Sequence, residues 1–388
     1  MGVGSSDENG PRAGTWAIQR SAAEAGTVAI DIDGRKVWMS SDDAALEHVP
    51  EAWVTAFCIP ASQWGTGFVL DEPVDAEWRA GAAANVAVTA AWWGGDPVLH
   101  LDAPEPLQHR RHRSGAHPPL TQSSGRGLCF TGGVDSFYSL LAGDHRPTHL
   151  VFVLGFDVNL EDVATSSATT AAVHAVAEGL GIEAVVVRTN LRTDRVFSST
   201  DWEHTHGAAL AATGHLLHRT IGTLVIPPSY TTSRLVPWGS RPDIDHRWSL
   251  PGRLQIEHGN ASGRRIDRVQ AIASHPLVHE HLRVCWQNED GQLNCGHCEK
   301  CLRTMIMLAA FDQLQHCRTF PDRAALPVAL NELESLDRGH MPMWRDLKGL
   351  PLRAAERIAL DALLARSDES RLTRPEHGRP DPATPSEG

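Results

Sequence analysis

Several features are missing from this sequence of 388 residues, and each absence narrows the field. It has no run of about 18 consecutive apolar residues, so it offers no membrane-spanning helix. The opening MGVGSSDENGPR lacks both a basic start and an apolar core, which argues against a secretory signal. Gly2 and Ser6 fit a short myristoylation pattern, but a polar tail matches that pattern by chance. Basic charge is also short. With 35 Lys and Arg against 47 Asp and Glu, the net charge is −12, and such a chain repels a nucleic-acid backbone. One basic run, His109-Arg110-Arg111-His112-Arg113, sits in a Pro/Ser/Gly-rich stretch without stacking aromatics and reads as a solvated linker. There is no Walker A loop, no dinucleotide fingerprint and no His-Glu-x-x-His zinc helix. The expectation is a cytoplasmic protein that neither enters membranes nor binds nucleic acid.

Against these absences stand 41% hydrophobic residues, 12 tryptophans and 7 cysteines. The pattern divides the chain into six segments. Residues 1–13 and 367–388 read as disordered tails, and 103–126 as a linker. Residues 14–102 read as an N-terminal α+β domain, with strands at 27–33 and 36–40, an apolar run at 52–59, and an Ala/Val-rich segment at 80–93 that fits helix or strand. In 127–320, strands at 127–130, 149–156, 183–188 and 222–227 alternate with helices starting at 136 and spanning 165–180 and 206–218. Short strands alternating with helices imply an α/β fold with a parallel sheet covered on both faces. Residues 321–366 read as C-terminal helices.

The first strand of that unit runs into Phe130-Thr131-Gly132-Gly133-Val134-Asp135-Ser136. Paired glycines let the backbone turn sharply and approach a ligand. The following helix offers unpaired N–H groups to an anion, and Thr131 and Ser136 add hydroxyls. Asp135 either holds the loop or binds a Mg²⁺ that bridges to phosphates. A plain Gly-Gly turn with an Asp/Ser cap has the same letters.

The second constellation is Cys285-x9-Cys295-x2-Cys298-x2-Cys301, running straight into an apolar helix at 302–311. Four thiolates in this spacing make a closed tetrahedral Zn²⁺ site, with Gly296 in the knuckle. His297 is a spare alternative ligand. A closed shell suits a structural metal, because it leaves no position for water.

FTGGVDS resembles the SGGxDS signature of the PP-loop ATP pyrophosphatases, with Thr131 for the first serine. Followed about 150 residues downstream by the cysteine cluster, it is similar to the 7-cyano-7-deazaguanine synthase family, over residues 125–315. The resemblance implies a PP-loop (adenine nucleotide alpha hydrolase-like) domain that binds ATP with Mg²⁺. Thr131, Gly132, Gly133, Val134, Asp135 and Ser136 would cradle pyrophosphate, and Asp157, after the second strand, would contact metal or ribose. Lys300 and Arg303, beside the last cysteine, would join Asp135 in the catalytic set, facing the phosphates or the adenylate. The implied reaction adenylates a carboxylate or amide oxygen, releasing pyrophosphate. Ammonia or an amine then displaces AMP, giving an amide or nitrile. The acceptor is a small molecule or a protein terminus, and homodimers are common among such folds.

Two other readings stay open. Sulfur insertion through the same adenylate would need a free cysteine, and Cys58, Cys129 and Cys317 are available. A catalytically idle nucleotide-binding module would serve a partner protein. Of the 21 histidines, His204 and His206 precede a helix and His215 and His218 lie on it at an i,i+3 spacing, but no carboxylate completes a metal triad and they read as surface or core residues. Ser229, Tyr230, Thr231, Thr232 and Ser233, with Arg241 and Asp243, form the candidate acceptor pocket, because they follow the fourth strand.

Overall fold

The computed structural model describes residues 14–105, 122–289, 291–337 and 339–373. The tail 1–13 and the basic run 109–113 lie outside them, as do residues 374–388. Three strands open the fold: β1 (Thr15–Ser21), β2 (Thr27–Ile32) and β3 (Arg35–Ser41). Helix α1 (Pro50–Trp64) leads to β4 (Gly67–Leu70), and α2 (Ala76–Trp93) to β5 (Leu101–Asp102). The second half alternates β6 (Arg126–Cys129), α3 (Val134–Leu141), β7 (His149–Leu154), α4 (Val163–Leu180), β8 (Glu183–Thr189), α5 (Trp202–Leu216), β9 (Thr223–Ile226), α6 (Pro242–Asp245) and β10 (Gln255–His258). Helices α7 (Arg265–Ile272), α8 (Pro276–His281), α9 (Glu299–Ala310), α10 (Leu326–Glu332), α11 (Met341–Arg345) and α12 (Ala354–Thr373) complete it. None of the described helices is long and apolar enough to cross a membrane.

The fold is α/β, built on one sheet of ten strands in the order β10-β9-β6-β7-β8-β3-β2-β1-β4-β5. Pairing is mostly parallel; β2 runs antiparallel to both neighbours, and β3 runs antiparallel to β8. The N-terminal strands therefore extend the same sheet, through Met39–Thr189, Ser40–Arg188 and Ser41–Val187. A division of the chain at 103–126 leaves both parts sharing one sheet. Asp43 and Asn190 reinforce the junction by accepting the backbone N–H groups of Val186 and Trp38.

The elements follow from their side chains. β7 is His-Leu-Val-Phe-Val-Leu with every residue after the first buried, as a central parallel strand requires. The apolar run at 52–59 becomes helix α1, because it is buried on all sides between the sheet, α2 and α5 rather than on one face. The 80–93 segment is also helical, started by Asp75, whose carboxylate accepts the Glu77 and Trp78 N–H groups. Helix α4 ends at Gly181 in the left-handed conformation, as its sequence predicts. Two hydrophobic cores flank the sheet. One gathers α1, α2 and α5; the other gathers α3, α4 and α7 to α12.

α12 continues to Thr373, past the boundary expected at 367. Ser367 is fully buried; its hydroxyl bonds to the Leu363 carbonyl and accepts the Leu336 N–H. A polar composition hid a helix whose serine is satisfied inside the core.

The histidines on α5 resolve into separate environments. His204 stacks on Trp93 at 3.9 Å between centroids, while His206 packs near Trp202 and Trp238. His215 is fully buried and bonds to the Trp248 carbonyl, and burial lowers its pKa to about 4. The unfolded chain takes up that proton near pH 6.5, so stability is complete above that pH and falls as pH drops towards 4, by about 3 kcal/mol. Urea unfolding at pH 7 and pH 4.5 is expected to show that loss in the wild type and a smaller one in His215→Gln. Equal losses in the two proteins would refute it.

Candidate functional site: a Gly-Gly loop beside four cysteines

β6 lies at the point where the winding reverses. From it the chain steps outward through β7 and β8, then returns to place β9 and β10 on its other side. Open parallel sheets bind ligands in the crevice that opens beyond the carboxyl ends at such a switch. The loop Thr131-Gly132-Gly133 stands there, between β6 and α3.

Gly132 has φ +76°, a conformation that side-chain-bearing residues resist. Its carbonyl accepts the Arg283 N–H at 2.8 Å. Gly133 has an ordinary φ of −76° and caps α3 without any side-chain hydrogen bond. The N–H groups of Val134, Asp135 and Ser136 have no acceptor among the described residues, so the first turn of α3 keeps its donors free. Thr131 is exposed, whereas the Ser136 hydroxyl is spent on the Gly133 carbonyl at 3.0 Å.

Asp135 is the tether of the loop. Its two carboxylate oxygens accept from Arg265 at 2.6 Å and from Arg268 at 2.7 Å, both on α7. Arg268 is itself buried and also donates to the carbonyls of Pro228 and Tyr230. One guanidinium thus joins the loop after β6 to the loop after β9, across the switch crevice. Sequence reading missed both arginines, because α7 carries no signal beyond an ordinary charged helix.

Lys300 and Arg303 rise from the first turns of α9 towards the same place. Lys300 is half-buried, and its ammonium has no hydrogen-bond or ion-pair partner among the described residues. Burial lowers its pKa, the positive charges of Arg265 and Arg303 push the same way, and Asp157 and Asp135 oppose them. Arg303 is committed elsewhere: its Nε lies 2.8 Å from the Glu299 carboxylate, which also accepts the Trp344 indole N–H. Asp157 is exposed just beyond β7, and its backbone carbonyl accepts from Asn288. In the candidate acceptor segment, Arg241 forms a two-point pair with Asp243 and lies over Trp92, so both charges are internally satisfied. Beyond Tyr230, the Ser229–Ser233 stretch offers mostly exposed hydroxyls, with Thr231 and Ser233 in contact at 3.1 Å.

The four cysteines come together. The sulfurs of Cys285, Cys295, Cys298 and Cys301 all lie within 4.8 Å of one another. Cys295 and Cys301 are 3.9 Å apart, close to the roughly 3.8 Å edge of a tetrahedron with Zn–S bonds of about 2.3 Å. Backbone N–H groups of Gln287, Cys298 and Cys301 point at the sulfurs of Cys285, Cys295 and Cys298, which suits thiolate ligands. Gly296 turns the knuckle at φ +80°. The site is therefore fit to hold a metal such as zinc, with Cys298 also capping α9. His297 is exposed and bonds to the Cys295 carbonyl, outside the sulfur cluster. Asn294 is the buried brace that sequence reading passed over. Its oxygen accepts the Val284 and Cys285 N–H groups, and its amide donates to Leu282 and Thr319.

No family model matches the chain, and no curated protein matches it. Among solved structures, one described as a Type III CRISPR defence DNA nuclease activated by cyclic oligoadenylate matches at 14% identity and a TM-score of 0.21. The match covers 82% of this chain and 56% of that one, so this chain spans little more than half its length. A TM-score of that size carries no argument about fold or function. What is established is an α/β protein with a ten-stranded, mostly parallel sheet and a four-cysteine cluster suited to a metal.

Proposed function

We propose that this chain is a PP-loop-type enzyme that adenylates a carboxylate or amide oxygen with ATP and passes the activated group to ammonia or an amine. The observation that carries this reading is the uncapped start of α3, with free N–H groups behind a Gly-Gly turn at the switch point of the sheet. Pyrophosphate fits donors in that arrangement. Gly133 strengthens it. Its backbone is unstrained, and an added methyl would meet nothing nearer than the Thr131 hydroxyl at 3.4 Å. Folding does not demand glycine there, but a phosphate approaching the backbone does.

Lys300 is the group best placed to meet charge on the phosphates, since among the described residues no carboxylate forms an ion pair with it, although Asp157 and Asp135 lie near enough to favour its charge. Arg265 adds positive field while restraining Asp135. Mg²⁺ would arrive on the triphosphate, with Asp157 as the exposed carboxylate near it. The substrate oxygen attacks the α-phosphorus, pyrophosphate leaves, and the nitrogen nucleophile displaces AMP. The protein supplies position and charge rather than a covalent intermediate.

The sulfur-insertion reading is weaker. Cys129, Cys58 and Cys317 are all buried, and burial raises each thiol above its ordinary pKa, to about 12 for Cys58 and Cys317. None is poised as a thiolate carrier.

The test is product analysis with labelled ATP while acids and nitrogen donors are varied. AMP and pyrophosphate are expected; ADP and phosphate would sink adenylation, and nucleotide binding without turnover would favour an idle module. Gly133→Ala is expected to fold as the wild type does and to bind ATP at least about 10-fold more weakly, a loss of about 1.4 kcal/mol. Unchanged affinity would remove the loop from the site.

A further inference from the structure

We infer that metal binding at the four cysteines and nucleotide binding at the Gly-Gly loop are energetically linked, with Arg283 and Asn288 as the positioning residues that join them. The inference rests on the ATP reading above.

The connection is short and runs from the buried Arg283 to the surface at Asp157. Arg283 lies two residues before the ligand Cys285. Its N–H donates to the Gly132 carbonyl at 2.8 Å, pinning the turn that must hold a positive φ. Its guanidinium, almost fully buried, donates to the Asn288 side-chain oxygen at 2.6 Å. Asn288 then donates from its amide to the Asp157 carbonyl at 2.8 Å. The loop that begins at one ligand and ends at the next therefore touches the chain beyond β6 and the chain beyond β7. Those are the two strand ends that would face the nucleotide.

Asn288 is held at φ +52°, where a non-glycine residue stays only if its surroundings fix it. The fixing comes from both ends of the loop. Asn294 braces Val284 and Cys285 at the base, and the sulfurs converge on a common point that a metal would occupy. Without a shared metal, this segment is left to Asn294, the Arg283–Asn288–Asp157 contacts, and a few others such as Thr165 with the Asn288 carbonyl at 3.5 Å and Trp286 with His340. Freedom gained there is freedom gained by Gly132 and Asp157. Linkage is reciprocal, so a nucleotide that orders Gly132 and Asp157 must also tighten metal binding.

The experiment uses the zinc-loaded full chain and α,β-methylene-ATP with Mg²⁺. Zinc affinity is measured by equilibrium competition with a chromogenic chelator, with and without nucleotide, and nucleotide affinity by titration calorimetry. In the wild type, saturating nucleotide is expected to tighten zinc binding about 10-fold, within the usual range of coupling between sites. Asn288→Ala keeps all four thiols and is expected to retain its zinc. It should bind nucleotide about 10-fold more weakly, and nucleotide should tighten its zinc binding less than about 2-fold. Nucleotide that binds the wild type without changing zinc affinity overturns the linkage and leaves the ATP reading intact. Failure of the zinc-loaded wild type to bind nucleotide overturns both. An Asn288→Ala protein with wild-type nucleotide affinity and coupling removes Asn288 from the connection. The wild-type zinc affinity needs no variant, so it decides the question even if Asn288→Ala does not fold.

Discussion

Asp135→Ala is expected to destabilise the protein by about 3 kcal/mol and to abolish AMP formation. The cost follows from what the mutation strands. Arg268 is buried and Arg265 three-quarters so, and both aim at the Asp135 carboxylate. Removing one partner of a buried pair leaves uncompensated charge, and such changes typically cost about 3–5 kcal/mol. The exposed quarter of Arg265 lets water screen part of it, which places the expectation at the low end. Arg268→Met should cost less, because it keeps the volume and leaves Asp135 with Arg265. If the contact is direct, the double variant Asp135→Ala/Arg268→Met will be more stable than the sum of the single losses predicts. Urea unfolding of the four proteins measures this. Additive losses, or an Asp135→Ala protein as stable as the wild type, would show that the tether is not a stabilising contact. Arg268 gives the same pair a second consequence. Because it also holds the Pro228 and Tyr230 carbonyls, its loss should loosen the loop after β9 as well as the loop after β6.

Removal of the metal carries the other large effect. A site of four thiolates binds zinc tightly enough that binding energy becomes folding energy. The cluster sits against the core that also holds α9, α10, α11 and α12, so its loss reaches the whole C-terminal part of the chain. The protein is expected to contain about one zinc per chain, and Cys298→Ser to contain almost none. Cys298 also caps α9, a role that serine fills well, so the variant isolates the loss of a metal ligand. If about 5 kcal/mol is lost, the melting temperature of a chain this long falls by about 6 °C. Differential scanning calorimetry, with and without a strong chelator, reads the shift. A chelated protein that melts with the untreated one would mean that the thiols are not a structural metal site. Iron–sulfur absorbance in the purified protein would instead reopen the sulfur-insertion reading.

The two constellations were legible because each is local. A Gly-Gly pair between an apolar strand and a helix is contiguous, and the cysteines fall within 17 residues. The parallel strands at 149–156 and 183–188 were legible for the same reason, as short apolar runs bounded by turns. What escaped the sequence depends on distant partners. Arg268 reads as surface charge until Asp135, 133 residues earlier, is placed beside it. Asn294 looks like one more polar loop residue, yet it is wholly buried and satisfied by backbone from two segments, 282–285 and Thr319. The β3–β8 pairing joins residues about 150 positions apart, and no periodicity encodes it. β10 and α7 were missed because their residues are largely polar or charged; QIEH and RIDRVQAI carry too few apolar positions to declare a strand or a helix.

The unbroken sheet has a practical consequence for anyone dividing this protein. Cutting the chain near residue 126 to isolate the half that carries the Gly-Gly loop and the cysteines would turn β8 from an interior strand into an edge. Its Val185, Val186 and Val187 would then border a row of unpaired N–H and C=O groups, the usual template for chains to add to one another. The truncated half is expected to self-associate rather than stay dispersed, so the three N-terminal strands serve as the cover that keeps this edge from being shared.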